Sequence, residues 1–155
     1  MQRLLNTKGK LLGIDFGDKR TGLAVSDPSR IIASGLYQIS VGGMQRTAAK
    51  ISEIIKEENI TGGIVVGLPI NMDGSHGPRA EHAEKFARIL SELLAADEST
   101  ASLPIVMMDE RMTTMAASRY LNETDTRGQK RKQVIDTLSA QIILQNALDR
   151  LKNMA

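Results

Sequence analysis

Asp15 stands at the end of an apolar run, Leu11-Leu12-Gly13-Ile14, and the chain turns apolar again at Leu23-Ala24-Val25. Gly17-Asp18 between the two runs supplies turn chemistry. The stretch reads as strand, tight turn, strand, with one carboxylate in the first strand. Burying a carboxylate there is costly unless something compensates its charge. A divalent cation, a basic side chain or the backbone donors of its own hairpin are the available partners. Lys19 and Arg20 sit in the turn itself. Two further carboxylate groups follow: the adjacent Asp109-Glu110, after the apolar Ile105-Val106-Met107-Met108, and Asp136, one turn after the basic run Lys130-Arg131-Lys132.

These groups work together only if the chain brings them together. At 155 residues the sequence suits one domain, residues 1–155. Hydrophobic residues at 41% are enough for a core. The absence of cysteine excludes disulfides, thiolate zinc sites and cysteine nucleophiles. Residues 1–10 lack the apolar region of a signal peptide, and no apolar run approaches the ~20 residues of a membrane span. A soluble, cytoplasmic protein is expected. The net charge of +2 hides an asymmetry. Residues 1–30 carry six basic and three acidic side chains, residues 31–110 six and eleven, and residues 111–155 eight and four. If the fold joins the two basic ends, a face able to attract a polyanion results.

Leu11 to Phe16, Thr21 to Ser26 and Gly35 to Ser40 are predicted strands, the last two joined through a turn at Asp27-Pro28-Ser29-Arg30. Short connections suggest an antiparallel meander. Ala48, Ile51, Ile54 and Ile55 then mark one face of a helix over Gln45 to Glu58. The continuous run Gly63 to Gly67 suits a central strand covered on both faces. Leu68 to Gly77 is a loop, and Pro78 suits the first turn of a helix with Ala83, Phe86, Ala87, Leu90, Leu93 and Leu94 inward. A last strand runs from Ile105 to Met108. Thr113 or Thr114 caps a helix to Asn122. A final helix covers about Gln129 to Lys152, with Ile135, Leu138, Ile142 and Leu148 inward. This order predicts an α/β fold: a mixed five-stranded sheet, three strands in a meander plus two parallel, with helices on both faces. Ligands of such sheets gather at the carboxyl ends of the parallel strands. Asp15, the Leu68–Gly77 loop and Asp109-Glu110 all fall there.

Four stretches, GIDFGDKRTGLAVSD, VVGLPINMDGSHGPRA, DERMTT and KRKQVIDTLSAQIILQNALD, span nearly the whole chain. In this order and spacing they resemble the YqgF/RuvX family of Holliday junction resolvase-like nucleases, linked to maturation of precursor 16S ribosomal RNA. The resemblance implies an RNase H-like fold. It places the acidic positions on Asp15, the Asp109-Glu110 pair and Asp136. It also implies that the loop holding Asn71, Asp73, Gly74, Ser75 and Arg79 borders the substrate.

The chemistry of the residues is consistent with this. Phosphodiester hydrolysis needs an activated water and stabilisation of developing negative charge, and divalent metals do both. Mg²⁺ or Mn²⁺ takes hard oxygen ligands and keeps several waters, so a few carboxylates suffice. Asp15, Glu110 and Asp136 are therefore the expected catalytic and metal-binding set. Alternation along the strand lets only one of Asp109 and Glu110 point inward; Glu110 is favoured, with Asp109 as alternate. Asp136 shares its helix side with Ala140 and Ile143; facing solvent near a helix start is its other reading. Many related resolvases carry a carboxylate at the end of the strand beside the first. Here that strand ends in Gly67-Leu68-Pro69, without one.

Lys19, Arg20, Arg79, Arg111, Lys130, Arg131 and Lys132 are the expected nucleic-acid contacts, a solvated face being the plainer reading. Asp73 fits an ordinary Asp-Gly turn as well as a substrate contact, and His76 and His82 are assigned no role. Aromatic residues at 3% are too few for a platform of stacked bases, so recognition by backbone charge and shape is expected. The expected activity is metal-dependent cleavage of structured nucleic acid, most simply at the 5′ end of precursor 16S rRNA, by a monomer or homodimer. A Holliday junction resolvase and a non-catalytic ribosome-assembly or transcription factor are the alternatives. GIDFG also resembles the first phosphate loop of sugar kinases, but those need two such domains.

Overall fold

The computed structural model describes residues 1–109 and 128–155, with side chains for 1–109 and 137–155. Glu110, Arg111 and the helix expected up to Asn122 lie outside the described residues. So do the side chains of Lys130, Arg131, Lys132, Ile135 and Asp136. The elements are α1 (Gln2–Leu5), β1 (Leu11–Asp15), β2 (Thr21–Ser26), β3 (Ala33–Ile39), α2 (Met44–Glu57), β4 (Gly63–Leu68), α3 (Pro78–Ala95), β5 (Ile105–Asp109) and α4 (Gly128–Met154). All five expected strands are present, with bounds shifted by at most two residues. Helix α1 is additional.

The strands form one sheet in the order β3-β2-β1-β4-β5. β1 pairs antiparallel with β2, and β2 with β3, while β1–β4 and β4–β5 are parallel. The mixed sheet with helices on both faces is as expected.

Alternation along β1 divides the core in two. Leu12, Ile14 and Phe16 join the apolar stripes of α2 (Ala48, Ile51, Ile54, Ile55) and α3 (Phe86, Leu90, Leu94) on one face. Leu11 joins Val65, Val106, Met108 and the buried side of α4 on the other. Gly13 shares that second face and lets α4 approach closely. A Cβ on Gly13 would lie 2.8 Å from Leu144 Cβ and 3.1 Å from the Ala140 carbonyl oxygen. Gly35 does the same on β3, where a Cβ would meet Thr137 Oγ1 at 2.7 Å.

Two inward assignments need correction. Leu93 is 38% exposed, because the buried stripe of α3 runs through Ala80, Ala83, Phe86, Leu90 and Leu94. Ile142 is only half-buried; Ile143 and Leu144 face the sheet beside Ala140 and Ala147. Leu138 and Leu148, also expected inward, are buried.

The two chain ends meet, but at the pole away from Asp15. Leu4 of α1 packs with Leu148 and Leu151 of α4. Arg30, in the left-handed region at φ 60°, donates to the carbonyls of Leu4 at 2.6 Å and Gly9 at 2.8 Å. Much of the terminal basic charge thus lies remote from the Asp15 end.

Candidate active site

Asp15 is the last residue of β1 and lies on the face of Gly13, the face that α4 covers. Its partner on β2 is Gly22. On the other side, Gly67 stands one step beyond the Ile14–Val66 pair of β1 and β4. Glycines on both neighbouring strands add no side chain beside the carboxylate. Asp15 is half-buried, and no described residue donates a hydrogen bond to its carboxylate. Burial pushes its carboxyl above the ordinary range, and the charge of Arg79 partly offsets this. A half-buried carboxylate with no donor among the described residues fits a divalent cation, which would compensate its charge through oxygen ligation. Among the described residues, no group of three or more His, Asp or Glu is close enough to hold a metal.

Arg79 is exposed in the first turn of α3, just after Pro78, which occupies the first helical position as expected. Lys19 and Arg20 are exposed in the β1–β2 turn. That turn requires Gly17, since a Cβ there would lie 2.4 Å from the Arg20 carbonyl oxygen. Lys19, Arg20 and Arg79 therefore share the Asp15 end of the sheet.

Asp109 closes β5 opposite Leu68 and is exposed. It has the parity of Ile105 and Met107, which pack toward α2 and α3. Val106 and Met108 point to the α4 face, the face of Asp15. Asp109 thus belongs by alternation to the wrong face for sharing an ion with Asp15.

The loop after β4 is largely self-satisfied. Asp73 Oδ1 accepts from the Ser75 amide at 2.9 Å and its hydroxyl at 2.6 Å, which holds the Asp73 carboxyl below its ordinary range. Asn71 donates to Ser75 Oγ at 3.0 Å, and its own amide donates to the Ser75 carbonyl at 2.9 Å. This is the plain turn reading of Asp73.

The match to known proteins follows the same frame. The family described as "RuvX: Holliday junction resolvase" matches residues 9–150. The chain belongs to the RuvX family. A relative from Ruminiclostridium cellulolyticum, named "Putative pre-16S rRNA nuclease", is 43% identical over 143 residues, covering 92% of this chain and 95% of its own. A Bradyrhizobium protein of the same name is 45% identical over 147 residues, covering 95% of this chain and 86% of its own. The solved structure "T. thermophilus RuvC in complex with Holliday junction substrate" superposes with a TM-score of 0.56 at 15% identity, covering 94% of this chain and 98% of that one. This likeness shows the fold: the RNase H-like architecture expected for a RuvX protein is present.

The sequence points to no role for His82, yet in this RuvX chain its Nδ1 lies 3.1 Å from Asp18 Oδ1. His76 Nδ1 lies 2.9 Å from Glu84 Oε1, within the loop–α3 junction. The only available signal for the His82 contact was helical spacing, since Arg79, His82 and Phe86 fall on one face of α3.

Proposed function

We propose that this RuvX protein is a metal-dependent endonuclease that hydrolyses phosphodiester bonds in structured nucleic acid, its substrate the 5′ end of precursor 16S rRNA. The observation that carries this is Asp15: a half-buried carboxylate with no donor among the described residues, at the carboxyl end of the central strand, between Gly22 and Gly67. Asp15, Glu110 and Asp136 would hold Mg²⁺ or Mn²⁺. Parity weighs against Asp109, which has the parity of Ile105 and Met107, and so favours Glu110. Asp136 is supported by helical spacing: it precedes Ala140 by one turn, and Ala140 lies against Gly13, two residues before Asp15 on the same face. When bound, the metal supplies an activated water and stabilises charge on the phosphate.

Arg79, Lys19 and Arg20 bind the nucleic-acid backbone beside Asp15. Arg111, beside Glu110 in the sequence, and the Lys130-Arg131-Lys132 run, one turn before Asp136, are the further contacts proposed. The fold joins both core clusters through one sheet, which supports residues 1–155 acting as one domain. Among the described residues no helix is long and apolar enough to cross a membrane. The shared name of the relatives favours RNA as substrate. The family description keeps a DNA junction as the second reading.

The test is cleavage of 5′-extended precursor 16S rRNA and, in parallel, of a synthetic four-way DNA junction, with and without Mg²⁺. Metal-dependent shortening of the RNA is expected. Cutting of the junction alone would establish the resolvase reading, and binding of either without cleavage would make the protein an assembly factor.

A further inference from the structure

Two residues on one face of α3, His82 and Phe86, contact the β1–β2 hairpin, and a third, Arg79, acts on it through its charge. The charge of Arg79 acts on Asp15. His82 Nδ1 lies 3.1 Å from Asp18 Oδ1. Phe86 stacks on Phe16, with ring centroids 4.4 Å apart and planes at 14°. The phenyl pair is buried and fixes the base of the hairpin. The His82–Asp18 contact is different in kind, with side chains 47% and 67% exposed. A contact that open adds little to folding. Its effect is local, and what lies beside it is the basic pair Lys19-Arg20. On the other flank, Ser40 Oγ donates to the Lys19 carbonyl at 3.0 Å. The hairpin tip is thus gripped from the end of β3 and from α3.

We propose that His82 is a positioning residue: through Asp18 it holds Lys19 and Arg20 at the Asp15 end, where they bind substrate phosphates. This rests on the reading of Lys19 and Arg20 as nucleic-acid contacts. The imidazole donates from Nδ1 to the carboxylate, which orients the ring and restrains the tip. Two long cationic side chains on a loose tip lose conformational freedom on binding; a tip held in place loses less.

His82→Ala and His82→Asn in the full chain test it, since an asparagine amide offers a donor near the place of Nδ1. In His82→Ala, ¹⁵N order parameters at Asp18, Lys19 and Arg20 are expected to fall from about 0.85 toward about 0.6, with Tm unchanged. The Kd for a hairpin RNA carrying the precursor 5′ end is expected to rise about three- to tenfold, as pre-organisation is lost. His82→Asn is expected to restore both. Unchanged order parameters in His82→Ala overturn the proposal. So does a loosened tip with unchanged RNA affinity, and so does a parent chain that binds no RNA. Both readouts are independent of cleavage, so a failure to cut counts against the nuclease reading and not against this one.

Discussion

Asp15 carries opposing demands: the strand end buries it, and no described donor satisfies it. Its carboxyl is raised, so the folded state favours the protonated form. The sign of the stability effect follows. Ionised Asp15 costs stability above its folded pKa, and the cost disappears below the unfolded value of about 3.9. Asp15→Asn is therefore expected to raise the Tm of the metal-free protein at pH 7, with the gain fading as the pH approaches 4. The same variant loses stabilisation by Mg²⁺ and loses cleavage. Melting curves in EDTA and in excess Mg²⁺, at both pH values, check this. Arg79 acts in the opposite direction, holding the Asp15 carboxyl down. In Arg79→Ala the Asp15 carboxyl titration, followed by ¹³C NMR in the metal-free protein, is expected to move to higher pH.

At the scale of elements, the site depends on how closely α4 lies on β1. Gly13→Ala places a methyl 2.8 Å from Leu144 Cβ and 3.1 Å from the Ala140 carbonyl. Neither atom is the free end of a flexible side chain, so the helix must shift. A loss of about 1–3 kcal/mol is expected in denaturant unfolding, and cleavage should fall by more than stability explains, because α4 also carries Asp136. The start of α4 bears Lys130-Arg131-Lys132. Replacing all three with Ala should weaken RNA binding and flatten its salt dependence. The slope of log K against log salt should shrink by about 0.7 to 0.9 for each phosphate that the variant leaves unneutralised. An unchanged slope would make the run solvated surface.

These elements also show what the sequence made legible. Gly63–Leu68 was readable because a strand covered on both faces is a bare apolar run. The stripe Ala48, Ile51, Ile54, Ile55 was readable because α2 covers one face only. On α4, Leu138 and Leu148 were readable as inward and are buried; Ile142 was not, because Ile143 and Leu144 take the sheet side next to it. Helix α1 has four residues and a single buried one, Leu4. Asp15 stood out as an acid in an apolar strand. Its link to Arg79, and the pairing of Asp18 with His82, 64 residues away, are products of the fold that no local pattern encodes.

At the scale of the whole molecule, the sheet separates two poles. One holds Asp15, Lys19, Arg20 and Arg79. The other joins the chain ends through Leu4, Leu148 and Leu151. On the flank, Lys56 of α2 donates to Asp97, just after α3, at 2.5 Å. That bond, with those from Ser99, lowers the Asp97 carboxyl to about 2. A lowered carboxylate adds stability above its unfolded pKa and loses it as the pH falls toward the folded value. Lys56→Met should therefore move acid unfolding to higher pH and leave cleavage at neutral pH unchanged. Circular dichroism against pH, paired with the cleavage assay, checks both.

Metal binding at Asp15 is tested by an anomalous-difference map from crystals of the protein soaked in Mn²⁺. An ion is expected at about 2 Å from a carboxylate oxygen of Asp15, with Glu110 and Asp136 completing the protein ligands. An ion bound elsewhere, or Asp15 and Glu110 more than about 10 Å apart with none between them, would contradict the claim, since direct ligands must approach far closer than that.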